Sequence, residues 1–485
     1  MTRPQIAALL CLHIAVWTLA AILSGGAGSL HHDMTEAWDW GREFQLGYAK
    51  HPPVFAWVAG AWFLVFPRTD WAFYLLSATS AAGGLLGVWC LAGRLLPQPQ
   101  QTAALLLVIL APFFSVLAIT FNGNAILLLT WPWTAYAFVR SLQTGKTIDG
   151  VLFGLIAAVA LASKYSSILL LVTCLAAAVL HPKAKTYFAC PAPYAAILAC
   201  LAAISPHVLW VLNHGLTTVT YVLDKEHLPL ARALAEAGKS MLGALAENVL
   251  PVAALWALTG TGVASEFWTV ATQAIAVRHR WLALLAVGPF VLTVLAAIAG
   301  GLTVSSNFLI PTFFIMPVAL LSISELIITP QRLALLWRFV TGWLLAALAL
   351  APCIAIVNFL SHQDLTVEPR REIAIEATRI WRETFGAPLK IVAGTEVFSL
   401  AAPFYSPDAP HLYIYSPPAA TPWITPEAVA RDGLLVICTQ IDQACQSYAA
   451  TFAAKRRTIR LHRTFFGWPT AETALELFLV PPRLP

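Results

Sequence analysis

Residues 6–24 read IAALLCLHIAVWTLAAILS, and residues 31–53 read HHDMTEAWDWGREFQLGYAKHPP. The first stretch carries no acidic residue, lysine or arginine. A bilayer core takes about 20 apolar residues per helix. The run is long for a leader peptide, and no strong cleavage signal precedes Asp33. It therefore predicts a retained transmembrane helix. The second stretch packs Asp33, Glu36, Asp39 and Glu43 into eleven positions. An apolar helix that opens directly into a carboxylate-rich segment implies a membrane protein with chemistry at its surface.

Similar apolar runs recur at 71–92, 101–119, 123–140, 149–163, 165–180, 188–211, 241–260, 281–301, 306–325 and 336–358. They are continuous rather than alternating, which predicts helices and not a β-barrel. The chain of 485 residues is 59% hydrophobic and 11% charged, against roughly 25% charged in a soluble protein. Mean hydropathy is +0.73. These values exclude an ordinary soluble enzyme and a disordered or collagen-like chain. Residues 1–358 hold 29 of the 53 charged residues, and residues 359–485 hold 24. The expected organisation is a membrane domain over 1–358, with an external loop at 25–70, and a soluble domain over 359–485.

The net charge of +5 lies in the membrane part, with 17 basic residues against 12 acidic. Basic loops at Arg94, Arg140 with Lys146, Lys183 with Lys185, Arg278 with Arg280, and Arg332 read as cytoplasmic, as does Arg3. Eleven crossings then place the N-terminus inside, with loop 25–70 and the C-terminal domain outside. The short run at 53–67 reads as a partial helix on the outer side; if it spans, the count changes. No basic patch with a recognisable motif suggests a nucleic-acid partner.

Six cysteines lie in or near apolar runs and read as packing residues. Cys438 and Cys445 lie in the soluble part, where a disulfide between them is one of two open readings. In that part, residues 368–386 and 424–432 predict helices. Residues 389–394, 411–416, 433–439 and 474–481 predict strands. The alternation implies a small α/β domain. It has neither a glycine-rich phosphate loop nor a nucleophile elbow, so no nucleotide cofactor is expected.

Within 31–53, Asp33 and Glu36 recur at helical spacing and can share a face. Tyr48, Lys50 and His51 follow, and Pro52 and Pro53 end the segment. A carboxylate here can take a proton from a hydroxyl or amine. A lysine, a histidine or a bound divalent metal can offset charge on a departing phosphate. A solvated loop is the plainer alternative. Further polar residues stand at helix ends on the same side: Asn122, Asn124, Lys164, Tyr165, His207 and Asn307. Lys164 either snorkels or meets a phosphate. Asn122 and Asn124 either cap the next helix or touch substrate. His207 is either a packed histidine or a ligand.

Four segments together carry a resemblance. They are Asp33-x-x-Glu36, GYAKHPPVFAW at 47–57, TFNGN at 120–124 and SKYSSILLL at 163–171. Over roughly residues 5–330 the chain resembles the bacterial polyprenyl-phosphate-sugar glycosyltransferases of the glycosyltransferase family 39-like group. These are related to protein O-mannosyltransferases and to the lipid A aminoarabinose transferase. The resemblance implies a GT-C fold of about 11–13 transmembrane helices with the α/β domain outside. It implies an inner-membrane enzyme that transfers a sugar, with inversion, from a polyprenyl-phosphate carrier. The acceptor would be lipid A, core lipopolysaccharide, another envelope lipid or a protein at the periplasmic face. Asp33 takes the catalytic position, with Glu36 beside it. Tyr48, Lys50, His51, Asn122, Asn124, Lys164, Tyr165 and His207 are the candidates for substrate and phosphate binding. Glu36 and His51 are the candidates for a metal. Many relatives carry an acidic residue where this chain has Asn122-Gly123-Asn124. The alternative function is a lipid or solute transporter or flippase, but no internal repeat suggests two related halves.

Overall fold

The long apolar runs become helices because only internal hydrogen bonding satisfies a backbone in lipid. The computed structural model describes residues 1–25, 28–223, 227–259, 263–303, 308–324, 326–416 and 420–483; Asn307 lies outside them. Among the described residues, five helices are long and apolar enough to cross a membrane. They are α1 (Arg3–Gly25), Asp70–Leu95, Ala192–Asn213, Arg280–Ala299 and Pro330–Leu360. Two bent pairs raise the number to seven if each is one span: Gln98–Ile109 with Pro112–Ala118, and Leu230–Ala246 with Val249–Thr259.

Shorter apolar helices add to these at Thr147–Ser163, Ser167–Leu180 and Ile310–Ile323. The run at 101–119 turns by 77° where Pro112 opens a 3-10 segment. The runs at 149–163 and 165–180 become helices of 17 and 14 residues, separated at Lys164. The run at 306–325 contains a 3-10 turn and an eight-residue helix. The multi-pass helical membrane architecture stands, with an α/β domain at its C-terminal end.

The chain divides into two compact units. One comprises Met1–Leu19, Tyr74–Trp210 and Val222–Leu348; the other comprises Ala20–Phe73, Val211–Tyr221 and Ala349–Pro485. The carboxylate-rich segment thus belongs to the same unit as the C-terminal domain.

In that second unit, His31 caps α2 (His32–Gly41), and its ring Nδ1 accepts from the Asp33 amide at 3.2 Å. Pro52 and Pro53 separate α2 from α3 (Val54–Trp62). Nine residues are too short to span a bilayer, so 53–67 forms the partial helix expected. The two helices meet glycine to glycine. A Cβ on Gly60 would lie 2.2 Å from the Gly41 carbonyl oxygen, inside any permissible contact.

The C-terminal domain is built on a five-stranded sheet. Its strands are β1 (Ile391–Gly394), β2 (His411–Leu412), β3 (Leu434–Thr439), β4 (Lys455–Leu461) and β7 (Thr473–Val480). A hairpin of β5 (Thr464–Phe465) and β6 (Trp468–Pro469) lies between the last two in sequence. The order is β2-β1-β3-β7-β4, with β1 parallel to β2 and β3, and β7 antiparallel to β3 and β4. Strand β3 is buried on both faces, which explains its unbroken run LLVICT. Leu435 and Ile437 join Trp381 and Phe398 on one side. Leu434, Val436 and Cys438 join Val429 and Cys445 on the other. Helices Arg370–Phe385, Glu396–Tyr405, Pro426–Asp432 and Gln443–Ala449 supply the covering layers. Cys438 and Cys445 are joined as a disulfide.

The glycine contact yields the first prediction. Gly60→Ala should cost roughly 1–3 kcal/mol through overpacking, read as a lowered apparent melting temperature of the purified protein. Gly342→Ala, with nothing within 4 Å of its added Cβ, should leave the melting temperature unchanged or raise it. Equal behaviour of the two variants would count against the packed crossing.

Candidate active site

In the second unit, Asp33 occupies the first turn of α2, where the helix dipole favours a negative charge. Its side chain is 35% exposed. One carboxylate oxygen lies 3.4 Å from His32 Nε2, and the other lies 3.6 Å from His31 Nδ1. The two imidazole rings are 4.0 Å apart. Burial lowers the His31 pKa below its ordinary 6.5, against the opposing pull of Asp33. A neutral imidazole is the form that binds metal. Among the described residues, His31, His32 and Asp33 form the one group able to hold a divalent ion, with ligand atoms within 4.8 Å of one another. The donor set of two nitrogens and one carboxylate leaves room for a further ligand.

One turn along α2, Glu36 is buried and accepts from Lys50 Nζ at 3.0 Å. The same ammonium donates to Glu396 at 3.3 Å. Burial pushes the Glu36 carboxyl up to about 7, although Lys50 opposes the shift. For Lys50, burial favours the neutral amine, but Glu36 and Glu396 outweigh it and raise the pKa. The ammonium stands 6.0 Å from the Trp40 ring centroid. Trp40 stacks on Tyr48 at 5.1 Å, and Phe55 meets Trp40 edge-on.

This corrects two of the expected roles. Tyr48 is wholly buried, and its hydroxyl donates to the Trp40 carbonyl at 2.7 Å. It builds the platform under Lys50 rather than facing a substrate. Glu36 and His51 are not gathered into the metal-binding group. Glu36 is committed to Lys50, and His51 meets Phe55 edge-on at 5.4 Å.

The other candidates belong to the first unit. Asn122 Oδ1 accepts from the amides of Asn124 and Ala125, at 2.9 and 3.0 Å. It therefore caps helix Ala125–Thr144, as one of the two sequence readings had it. Lys164 ends helix Thr147–Ser163, donates to Asn124 Oδ1 and faces the Phe308 ring at 4.2 Å. Tyr165 and the buried His207 share a hydrogen bond of 2.8 Å. Polar side chains at a break between apolar helices are a recurrent setting for ligand contact in membrane proteins.

Sequence reasoning missed several members. His31 and His32 were read as loop residues, although their pairing beside an aspartate was the available signal. Glu396 follows β1, at the carboxyl end of a parallel strand, where α/β folds place functional groups. Arg42 also escaped notice. It bonds Asp39 at 2.5 Å and the carbonyls of Ala409 and Pro410 at 2.6 and 2.5 Å.

This geometry can be compared with known proteins. ArnT from Cupriavidus metallidurans bound to undecaprenyl phosphate superposes with a TM-score of 0.65 at 11% identity, over 98% of each chain. The same protein in the apo state gives 0.63 at 14% identity, again over 98% of each chain. The chain has the fold of ArnT. A family model described as dolichyl-phosphate-mannose-protein mannosyltransferase matches residues 50–210. No curated protein matches the sequence. The family match begins at Lys50 and reaches past His207.

The raised Glu36 pKa makes a signed prediction. Folded Glu36 keeps its proton up to about pH 7, whereas an unfolded chain releases it near 4.5. Its stabilising contribution is complete below pH 4.5 and is lost as pH rises through 7. The stability of wild type relative to Glu36→Gln should fall over that window, by on the order of 3 kcal/mol, and level off at higher pH. Parallel melting curves of the two proteins across pH would instead mean that Glu36 is ionised throughout.

Proposed function

We propose that this protein transfers a sugar from a polyprenyl-phosphate carrier to an envelope acceptor, with inversion at the anomeric carbon. The reading rests on the ArnT fold and on one observation above all. A half-exposed aspartate opens the helix that follows α1, and Glu36 on the same helix is held by the ammonium of Lys50. The bound undecaprenyl phosphate of the ArnT structure supports a lipid-phosphate donor.

In this reading Asp33 takes the proton from the acceptor hydroxyl or amine as the new glycosidic bond forms. The bond from the anomeric carbon to the carrier phosphate breaks, and the electron pair leaves with the phosphate. Lys50 offsets that charge. Its partner Glu396 is 67% exposed and easily exchanged for a phosphate oxygen. Glu36, poised near neutrality, can take up a proton when the anion arrives, releasing more of the Lys50 charge. His51 is proposed as a further contact to the donor, and in the first unit Asn124, Lys164, Tyr165 and His207 are proposed, by themselves, as substrate-binding residues. His31, His32 and Asp33 would hold a divalent ion, whose chemistry is charge neutralisation at a phosphate oxygen.

We place the protein in a bacterial inner membrane, with the N-terminus cytoplasmic and the C-terminal domain periplasmic. The positive loops support this orientation, and so does the Cys438–Cys445 disulfide. Lipid A or core lipopolysaccharide is the acceptor that the resemblance favours.

Asp33→Asn should reduce sugar transfer from a purified polyprenyl-phosphate donor by about 10²–10⁴-fold, with membrane insertion unchanged. Transfer at the wild-type rate would remove Asp33 as the base. Movement of labelled donor across vesicles without any covalent product would point to a transporter instead. Metal content supplies a separate test. Wild-type protein dialysed against zinc should retain about one ion per chain, and His32→Ala should lose it. Equal content in the two would dismiss the triad.

A further inference from the structure

The C-terminal domain has a second polar site, at the opposite end of the parallel strands from Glu396. A cavity of about 590 Å³ opens where β1 and β2 begin. Small-molecule sites span roughly 300–1,000 Å³. Three carboxylates line it: Glu43, Asp408 and Asp432. Each already faces a cation or an imidazole. Glu43 lies 2.5 Å from His411 Nδ1. Asp408 receives the Arg382 guanidinium and, at 2.7 Å, the Leu389 amide. Asp432 accepts from Lys390 at 2.9 Å and from Arg431 at 2.7 Å. Trp423 adds a half-buried aromatic wall, set at 87° to the Tyr48 ring.

These properties select a chemical class. The charges of the lining are closely balanced, so an anion or a cation would disturb them. Each carboxylate retains acceptor capacity, since its two oxygens offer about four lone-pair sites. Lys390 and Arg431 supply donors at the rim, where their side chains are 58% and 70% exposed. A pyranose offers a ring of hydroxyls that both donate and accept, and an apolar C–H face that suits an indole. The geometry points to a binding site for a neutral saccharide, held between Trp423 and the carboxylates of Asp408 and Asp432. An extended peptide would pair along an open strand edge; β2 is an edge strand but only two residues long, and His411 is its contribution to the lining.

Its role as the seat of an acceptor glycan rests on the transferase reading above. Saccharide binding itself does not. The test uses the full chain in nanodiscs and four neutral trisaccharides, made of α-linked glucose, β-linked glucose, α-linked mannose and β-linked galactose. Saturation-transfer NMR and tryptophan fluorescence report binding. At least one trisaccharide should bind saturably. Trp423→Ala should weaken it at least tenfold, and Trp423→Phe should restore most of the loss. Ala428→Trp, which fills the cavity from its helical wall, should also abolish binding. This second variant removes no ligand contact and keeps the test open if Trp423→Ala unfolds the domain. Asp33→Asn should bind the trisaccharide as wild type does, whatever its transfer rate. Failure of all four sugars, binding indifferent to Ala428→Trp, or displacement by inorganic phosphate would each overturn the proposal. If Asp33→Asn still transfers sugar and the trisaccharide binds, only the role of Asp33 as base fails; if the wild-type chain transfers no sugar and the trisaccharide binds, only the transferase reading fails.

Discussion

Arg42 holds the second unit together at its most demanding point. Its guanidinium lies between the carboxylate of Asp39 and the carbonyls of Ala409 and Pro410. Asp39 is almost fully buried, and burial raises its pKa while Arg42 opposes the rise. An isolated charge in that position would cost several kcal/mol. Excellent geometry and several acceptors are what make the arrangement tolerable. The consequence is positional. The end of α2 is tied to the chain just before β2, so the helix bearing Asp33 and Glu36 takes its place from the C-terminal domain. Arg68 adds a second tie, donating to the carbonyls of Pro403 and Ser406 at 2.9 and 2.7 Å. Arg463 adds a third, bonding Ser29 and Glu372. The C-terminal domain therefore helps build the candidate centre. Glu396 contributes a carboxylate to it directly.

Low polarity around Glu36 and Lys50 sets the character of that centre. In water, a lysine and a glutamate at contact gain little, because solvent screens them. Here the acid is buried, and its ionisation depends on what else surrounds the ammonium. A cluster of one cation and two carboxylates carries net negative charge when fully ionised. An arriving phosphate monoester would meet repulsion unless a proton came with it or Glu396 moved aside. The site is thus matched to a ligand that redistributes charge when it arrives, and mismatched to a permanently bound anion.

The sequence made the architecture legible where periodicity was long and unmixed. The membrane character, helix Arg370–Phe385 and strands β1, β3 and β7 all follow from runs of one kind. The bend at Pro112 did not, because hydropathy cannot see where an apolar run turns. Strand β4, KRRTIRL, was missed because five of its seven side chains are exposed and charged or polar. An edge strand needs no apolar signature on its outer face. Within the candidate centre, Asp33, Glu36 and Lys50 were legible as neighbours in sequence. Glu396 and Arg42 were not, since their meaning lies in contacts across more than 340 residues of chain. Tyr48 misled for the opposite reason. A tyrosine between polar residues looks available, and only packing reveals that its hydroxyl is already spent on Trp40.

The Cys438–Cys445 bond carries one more implication. It joins the end of β3 to the short helix Gln443–Ala449, whose start is otherwise secured by Asp442. If the C-terminal domain is periplasmic, as proposed, a chain threaded through the bilayer in the opposite sense would deliver both thiols to a reducing compartment, where this link does not persist. The central strand would then lose its covalent anchor in every misinserted copy. Quality-control proteases that sample loosened domains would meet those copies first. On that placement, a single crosslink near the end of the chain would act as a check on how the whole polypeptide was threaded.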